Sequence, residues 1–93
     1  MSAVLEELFA TILERSHHRP QGSYTVQLLE TGEGAILRKV GEEALEVILA
    51  TQREDNERLV AEVADLLYHL LVLLAARGLS LADVEAELLR RRR

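Results

Sequence analysis

A chain of 93 residues with one Pro and no Cys is long enough for one domain and too short for a second independent core. Without Cys there are no disulfides, thiolate metal sites or thiol nucleophiles, so any bound metal must be held by carboxylate or imidazole. The 16 Asp and Glu against 11 Lys and Arg leave a formal charge of -5, which argues against a general nucleic-acid binder.

The composition is helical: the apolar fraction is 48% with only 3% aromatic, and Leu, Ala and Glu dominate. A first helix is predicted over residues 2–15, where Val4, Leu5, Leu8, Phe9, Ile12 and Leu13 recur at helical spacing. Residues 16–23 carry the only Pro and a Gly and should break it. A second helix is expected over 34–52, preceded by a helical turn through 24–29 and a break at Gly32. The third starts at Asp55, a good N-cap, and runs to Arg77, where Gly78 supplies a left-handed stop. Ser80 with Asp83 three residues later reads as a capping box opening a fourth helix over 80–89. The expected architecture is an all-α bundle of four to five helices forming a single domain over 1–93.

The start of the chain, residues 1–7, lacks the basic end and apolar core of a signal peptide. The longest apolar stretch, 66–76, falls short of the ~20 residues a membrane span needs, so a cytoplasmic protein without membrane contact is expected. Arg90, Arg91, Arg92 and Arg93 read as a solvated tail, the alternative being a phosphate or nucleic-acid contact. In the third helix, Leu66, Leu67 and the run from Leu70 to Ala76 cover almost the whole circumference at ~100° steps. Such a helix must be buried all round. A homodimer that packs it against a partner chain is therefore expected; the alternative is a central helix enclosed within a monomer.

The informative residues are acids on these two long helices. On the second, Ile36, Val40, Ala44, Val47 and Ile48 define an apolar face, and Glu43 falls at its edge with Glu46 and Glu42 along the same flank. On the third, Glu62, Asp65 and His69 share one narrow stripe of an otherwise apolar cylinder. Unpaired carboxylates in or near a core cost several kcal/mol each, so something positive is required. Hard divalent cations take oxygen ligands, and carboxylates three residues apart on facing bundle helices can build such a site. Ion pairing with Arg38, Lys39 or Arg53, or a solvated face, are the alternatives.

The spelling narrows the choice. Glu42-Glu43-Ala44-Leu45-Glu46 followed by Glu62-Val63-Ala64-Asp65 resembles the E-E-x-x-E and E-x-x-D signature of the MazG-like all-α nucleotide pyrophosphohydrolases. Ser23-Tyr24-Thr25, the stretch around Arg38-Lys39-Val40-Gly41, and Leu66-Leu67-Tyr68-His69-Leu70 are similar to the phosphoribosyl-ATP pyrophosphohydrolase family within that superfamily. The resemblance implies hydrolysis of phosphoribosyl-ATP to phosphoribosyl-AMP and pyrophosphate, the second step of histidine biosynthesis, with Mg²⁺ as cofactor. It also implies that Glu43, Glu46, Glu62 and Asp65 hold the metal, and that Glu42 sits behind them or orients the attacking water. A house-cleaning hydrolase for ordinary or damaged nucleoside triphosphates, and a non-catalytic helical interaction module, are the competing readings. A phosphoribosyl-AMP cyclohydrolase catalyses the next step that the family implies; a functional link to it, and pairing of dimers into a tetramer, are left open by the sequence.

Other polar residues carry weaker signals. Lys39, one turn before Glu43, is placed to reach a substrate phosphate or to pair with Glu43 itself. Arg19, Ser23 and Tyr24, expected in the loop before the second helix, offer donors for phosphate or ribose oxygens, or serve ordinary loop and capping chemistry. His17 and His18 read as solvated loop residues. His69 either hydrogen-bonds a metal-binding carboxylate or satisfies a buried polar contact, and Tyr68 is expected to pack away from the acids.

Overall fold

In the computed structural model, which describes residues 2–53 and 55–92, Ser2 caps the first helix by accepting a hydrogen bond from the Leu5 amide. Helix α1 (Ala3–His18) outlasts its predicted end at residue 15. Proline restrains the residue before it, not the fourth before it, and that residue, Arg19, takes the left-handed conformation (φ 48°) that ends the helix. His17 and His18 are thus helical, in the last turn of α1.

The expected turn before the second long helix is a full helix, α2 (Tyr24–Thr31), capped by Ser23. Tyr24 is therefore its first residue, not a loop residue. Gly32, at φ 113°, ends α2 and begins α3 (Glu33–Gln52) in a single residue. Asp55 caps α4 (Asn56–Ala76), accepting from the Arg58 amide. Gly78, at φ 72°, closes it with bonds from the Gly78 amide to Ala75 and the Leu79 amide to Leu74. Helix α5 (Leu81–Arg90) opens on a capping box in which the Ser80 and Asp83 side chains each accept the other's amide. No strand occurs among the described residues, and the fold is all-α.

Helices α3 and α4, consecutive in the chain, form a long hairpin that makes the most extensive contact in the fold. Helix α1 lies on α4, and α2 bridges α1, α3 and the side of α4. The core is Phe9, Ile12, Leu28, Ile36, Leu71, Val72 and Leu81, so every helix contributes to it. Burying each of these aliphatic or aromatic side chains is worth about 1.5–3 kcal/mol.

The predicted apolar faces are only partly covered. Ile36 is fully buried, but Ile48 on α3 and Val4 on α1 are exposed. On α4, Val60, Val63, Leu67 and Leu70 face outward at i, i+3, i+7 and i+10, so this helix is not enclosed within its own chain. By length and composition α4 is also apolar enough to cross a membrane, more than its uninterrupted apolar run suggests. It nevertheless buries Glu62 and His69 against the rest of the fold.

Two of the terminal arginines pair with a carboxylate. Arg90 and Arg91 both pair with Glu87, at 2.8 and 3.1 Å from their Nε atoms, one turn back in α5. Met1, Glu54 and Arg93, the last of the arginine run, lie outside the described residues.

Candidate functional site

Glu43 projects from the middle of α3 and Glu62 and Asp65 from α4, one turn apart, so the hairpin turns three carboxylates onto each other. One oxygen from each lies within 4.8 Å of the other two. Glu43 and Glu62 are buried, and Asp65 is exposed. They line an open cavity of about 490 Å³ together with Lys39, Glu42, Leu45, Glu46 and Arg58. Glu46, expected beside them, borders this cavity without joining the three-oxygen group. Glu42 is exposed at its rim.

Two cations neutralise part of this charge. Lys39 Nζ lies 3.3 Å from Glu43 and 3.7 Å from Glu42, so the pairing with Glu43 expected from their spacing is present. The hydrogen bond to Glu43 holds the Lys39 ammonium above its usual pKa. Arg58 Nε lies 3.1 Å from Glu62. Of the counter-charges expected from sequence, Arg38, Lys39 and Arg53, only Lys39 lines the cavity, and Arg58 is the further cation there. Its signal was its place one turn before Glu62, the spacing that favours helical ion pairs. Five carboxylates still face two cations around the cavity. Burial raises the Glu62 pKa; Arg58 opposes the shift, and Glu43, Glu46 and Asp65 reinforce it.

A second polar cluster flanks the first. His69 is buried, and its Nδ1 lies 2.7 Å from the Asp65 backbone carbonyl, which can only accept. Nδ1 therefore carries the proton, and Nε2 accepts from the Tyr24 hydroxyl at 2.9 Å. Of the two roles considered for His69, the buried polar contact is the one present. The next pair along, Thr25 and Tyr68, is also hydrogen-bonded, so adjacent residues of α2 clip onto adjacent residues of α4. Tyr68 stacks on Tyr24, with ring centroids 6.2 Å apart. Burial raises the pKa of the Tyr24 phenol, and Lys39, Glu43 and Asp65 are all within electrostatic reach of it.

The remaining candidates lie elsewhere. Arg19 and Ser23 line a separate groove of about 630 Å³ that shares no residue with the acidic cavity. Ser23 Oγ accepts from the Val26 amide as the α2 cap, and Arg19 Nε donates to the Ser16 carbonyl. His17 and His18 join no group of metal-capable side chains among the described residues.

The arrangement suits a hard divalent cation: every donor is a carboxylate oxygen, two donors are held away from water, and negative charge is in excess. Comparison with known proteins identifies the family. The family model for phosphoribosyl-ATP pyrophosphohydrolase matches residues 5–92. A phosphoribosyl-ATP pyrophosphatase of Metallosphaera sedula is 55% identical over 91 residues, covering 98% of each chain. One from Sulfurisphaera tokodaii is 54% identical over 90 residues, 97% of this chain and 96% of the relative. One from Saccharolobus islandicus is 48% identical with the same coverage. The matched residues include both helices that build the acidic cavity, and the chain belongs to the phosphoribosyl-ATP pyrophosphohydrolase family.

Proposed function

We propose that this chain hydrolyses phosphoribosyl-ATP to phosphoribosyl-AMP and pyrophosphate, in histidine biosynthesis, with Mg²⁺ as its cofactor. The observation that carries the reading is the group of three carboxylate oxygens within 4.8 Å, in a cavity with more acids than bases. Carboxylates alone would repel a polyphosphate. A bound Mg²⁺ would neutralise phosphate charge and make water more acidic.

In this reading Glu43, Glu62 and Asp65 hold the cation, with Glu46 joining from the rim. Glu42, at the cavity rim and outside the three-oxygen group, orients the attacking water and accepts its proton. The water oxygen bonds to phosphorus as the bond to the pyrophosphate oxygen breaks, and no covalent enzyme intermediate is required. Lys39 turns from Glu43 to a phosphate. Tyr24, fixed by His69, and the more distant Arg19 and Ser23 take other polar groups of the substrate. The reading includes a cytoplasmic setting and a functional link to a phosphoribosyl-AMP cyclohydrolase.

It also includes a homodimer, with pairs of dimers a further step. The accessible surface is 6604 Å², against about 5,400 Å² for a folded monomer of this mass. The outward stripe of α4 and the exposed Leu45 and Ile48 of α3 are the apolar surface a partner copy would cover.

The deciding experiment is a turnover panel of phosphoribosyl-ATP beside ordinary ribo- and deoxyribonucleoside triphosphates, with Mg²⁺ present. Pyrophosphate release from phosphoribosyl-ATP alone is expected; preference for the ordinary nucleotides would favour the house-cleaning alternative. Glu43→Gln and Asp65→Asn should each lower turnover by at least about 10²-fold with helicity intact, and full activity in either refutes the ligand assignment.

A further inference from the structure

Each buried carboxylate of the cavity is met by a cation one turn earlier on its own helix: Lys39 for Glu43 on α3, and Arg58 for Glu62 on α4. The two ends of the second pair differ sharply. The Arg58 side chain is 54% exposed, whereas that of Glu62 is 11% exposed. A guanidinium in water loses little by leaving, since helical pairs of this spacing contribute only about 0.3–0.5 kcal/mol. The Glu62 carboxylate, desolvated and surrounded by other acids, needs a positive partner at all times.

We propose that Arg58 is a phosphate-binding residue held in reserve: Glu62 occupies it in the metal-free chain, and entry of a divalent cation releases it to the substrate. The inference rests on the metal-dependent reading above. The cation takes over the neutralisation of Glu62 and repels the guanidinium, which stays at the cavity wall with its donors free. Its planar fork matches two phosphate oxygens at once and stays charged at any working pH. Lys39 and Arg58 are the only cations lining this cavity among the described residues, so a substrate rich in phosphate meets one from each helix. Glu62 thereby keeps a positive partner both before and after the metal arrives.

The test pairs Mg²⁺ titration of the metal-free protein by calorimetry with steady-state kinetics on phosphoribosyl-ATP, for wild type, Arg58→Gln and Arg58→Lys. Arg58→Gln should bind Mg²⁺ about twofold more tightly, because no ion pair has to be displaced. Its KM should rise about tenfold or more through loss of a charge-assisted phosphate contact, with kcat less affected. Arg58→Lys should bind Mg²⁺ like wild type and recover part of the KM. Unchanged Mg²⁺ affinity and KM in Arg58→Gln, or weakening of both together as expected of a residue that merely props Glu62, overturns the proposal. A wild-type chain that takes up no Mg²⁺ overturns the underlying reading and this one with it, whereas normal uptake without the opposed shifts overturns this one alone.

Discussion

Glu62 is where the physical conflict of this protein is concentrated, because one side chain must be buried, acidic and beside other acids at once. Without metal its charge opposes folding, as the raised pKa shows, and Arg58 offsets this only in part. Glu62→Gln should therefore raise the melting temperature of the metal-free protein at pH 7 while removing the stabilisation that Mg²⁺ confers on wild type. That stabilisation is about 2.7 kcal/mol when Mg²⁺ is at a hundred times its Kd. A lower melting temperature for the metal-free variant would show that the Arg58 pair outweighs the burial. Tyr24 raises a different question at the same scale. Tyr24→Phe leaves the buried Nε2 of His69 without its donor, and chemical denaturation should show a loss of about 1–3 kcal/mol. The acidic stripe was legible in the sequence because helical stepping alone puts Glu62, Asp65 and His69 on one line. The Tyr24 partner of His69 was not, because 45 residues separate them and only the packing of α2 on α4 brings them together.

The ends of the helices obey local rules, and most of them could be read locally. Asp55, Gly78 and the Ser80 and Asp83 box all act as their sequence predicts. Nothing lies within 4 Å of a methyl group added at Gly78, so Gly78→Ala tests its backbone alone. The left-handed conformation should cost about 1–2 kcal/mol, lowering the melting temperature by roughly 4–16 °C. The misread end of α1 has an equally local cause, for the polar residues before Pro20 remain helical up to the one residue that the ring restrains. At the other terminus, Arg90 and Arg91 hold the Glu87 carboxyl below its usual pKa. A depressed native pKa means that this contribution is complete above the unfolded value of 4.5 and is lost as the pH falls through the native one. Glu87→Gln should thus narrow the difference in melting temperature between pH 7 and pH 3. High salt should shrink the wild-type effect, because these groups are exposed.

At the scale of the molecule, α4 announces in sequence that one chain will not cover it, and the structure leaves Val60, Val63, Leu67 and Leu70 outside. What sequence could not supply is the amount left over, which depends on how the other helices pack. The radius of gyration is 14.2 Å where a compact chain of this length would have about 12 Å, so the chain is more open than its size requires. The surplus surface of about 1,200 Å² exceeds the roughly 800 Å² that each partner contributes to a standard interface. Leu67, at the centre of the stripe, is the side chain whose charge would be felt most in such a contact. Leu67→Glu should therefore convert a dimer of 10.4 kDa chains into a monomer by light scattering, with its helical signal retained. Val4→Glu is the control: that residue is 72% exposed but belongs to α1 and not to the α4 stripe, and the dimer should survive the change. A monomeric wild type, or equal disruption by both substitutions, would remove the dimer from the account. Because Leu45 is both exposed and part of the acidic cavity wall, the proposed interface would share a border with the site. The monomeric Leu67→Glu chain should accordingly lose activity at protein concentrations where wild type is fully paired, even though no carboxylate has been touched.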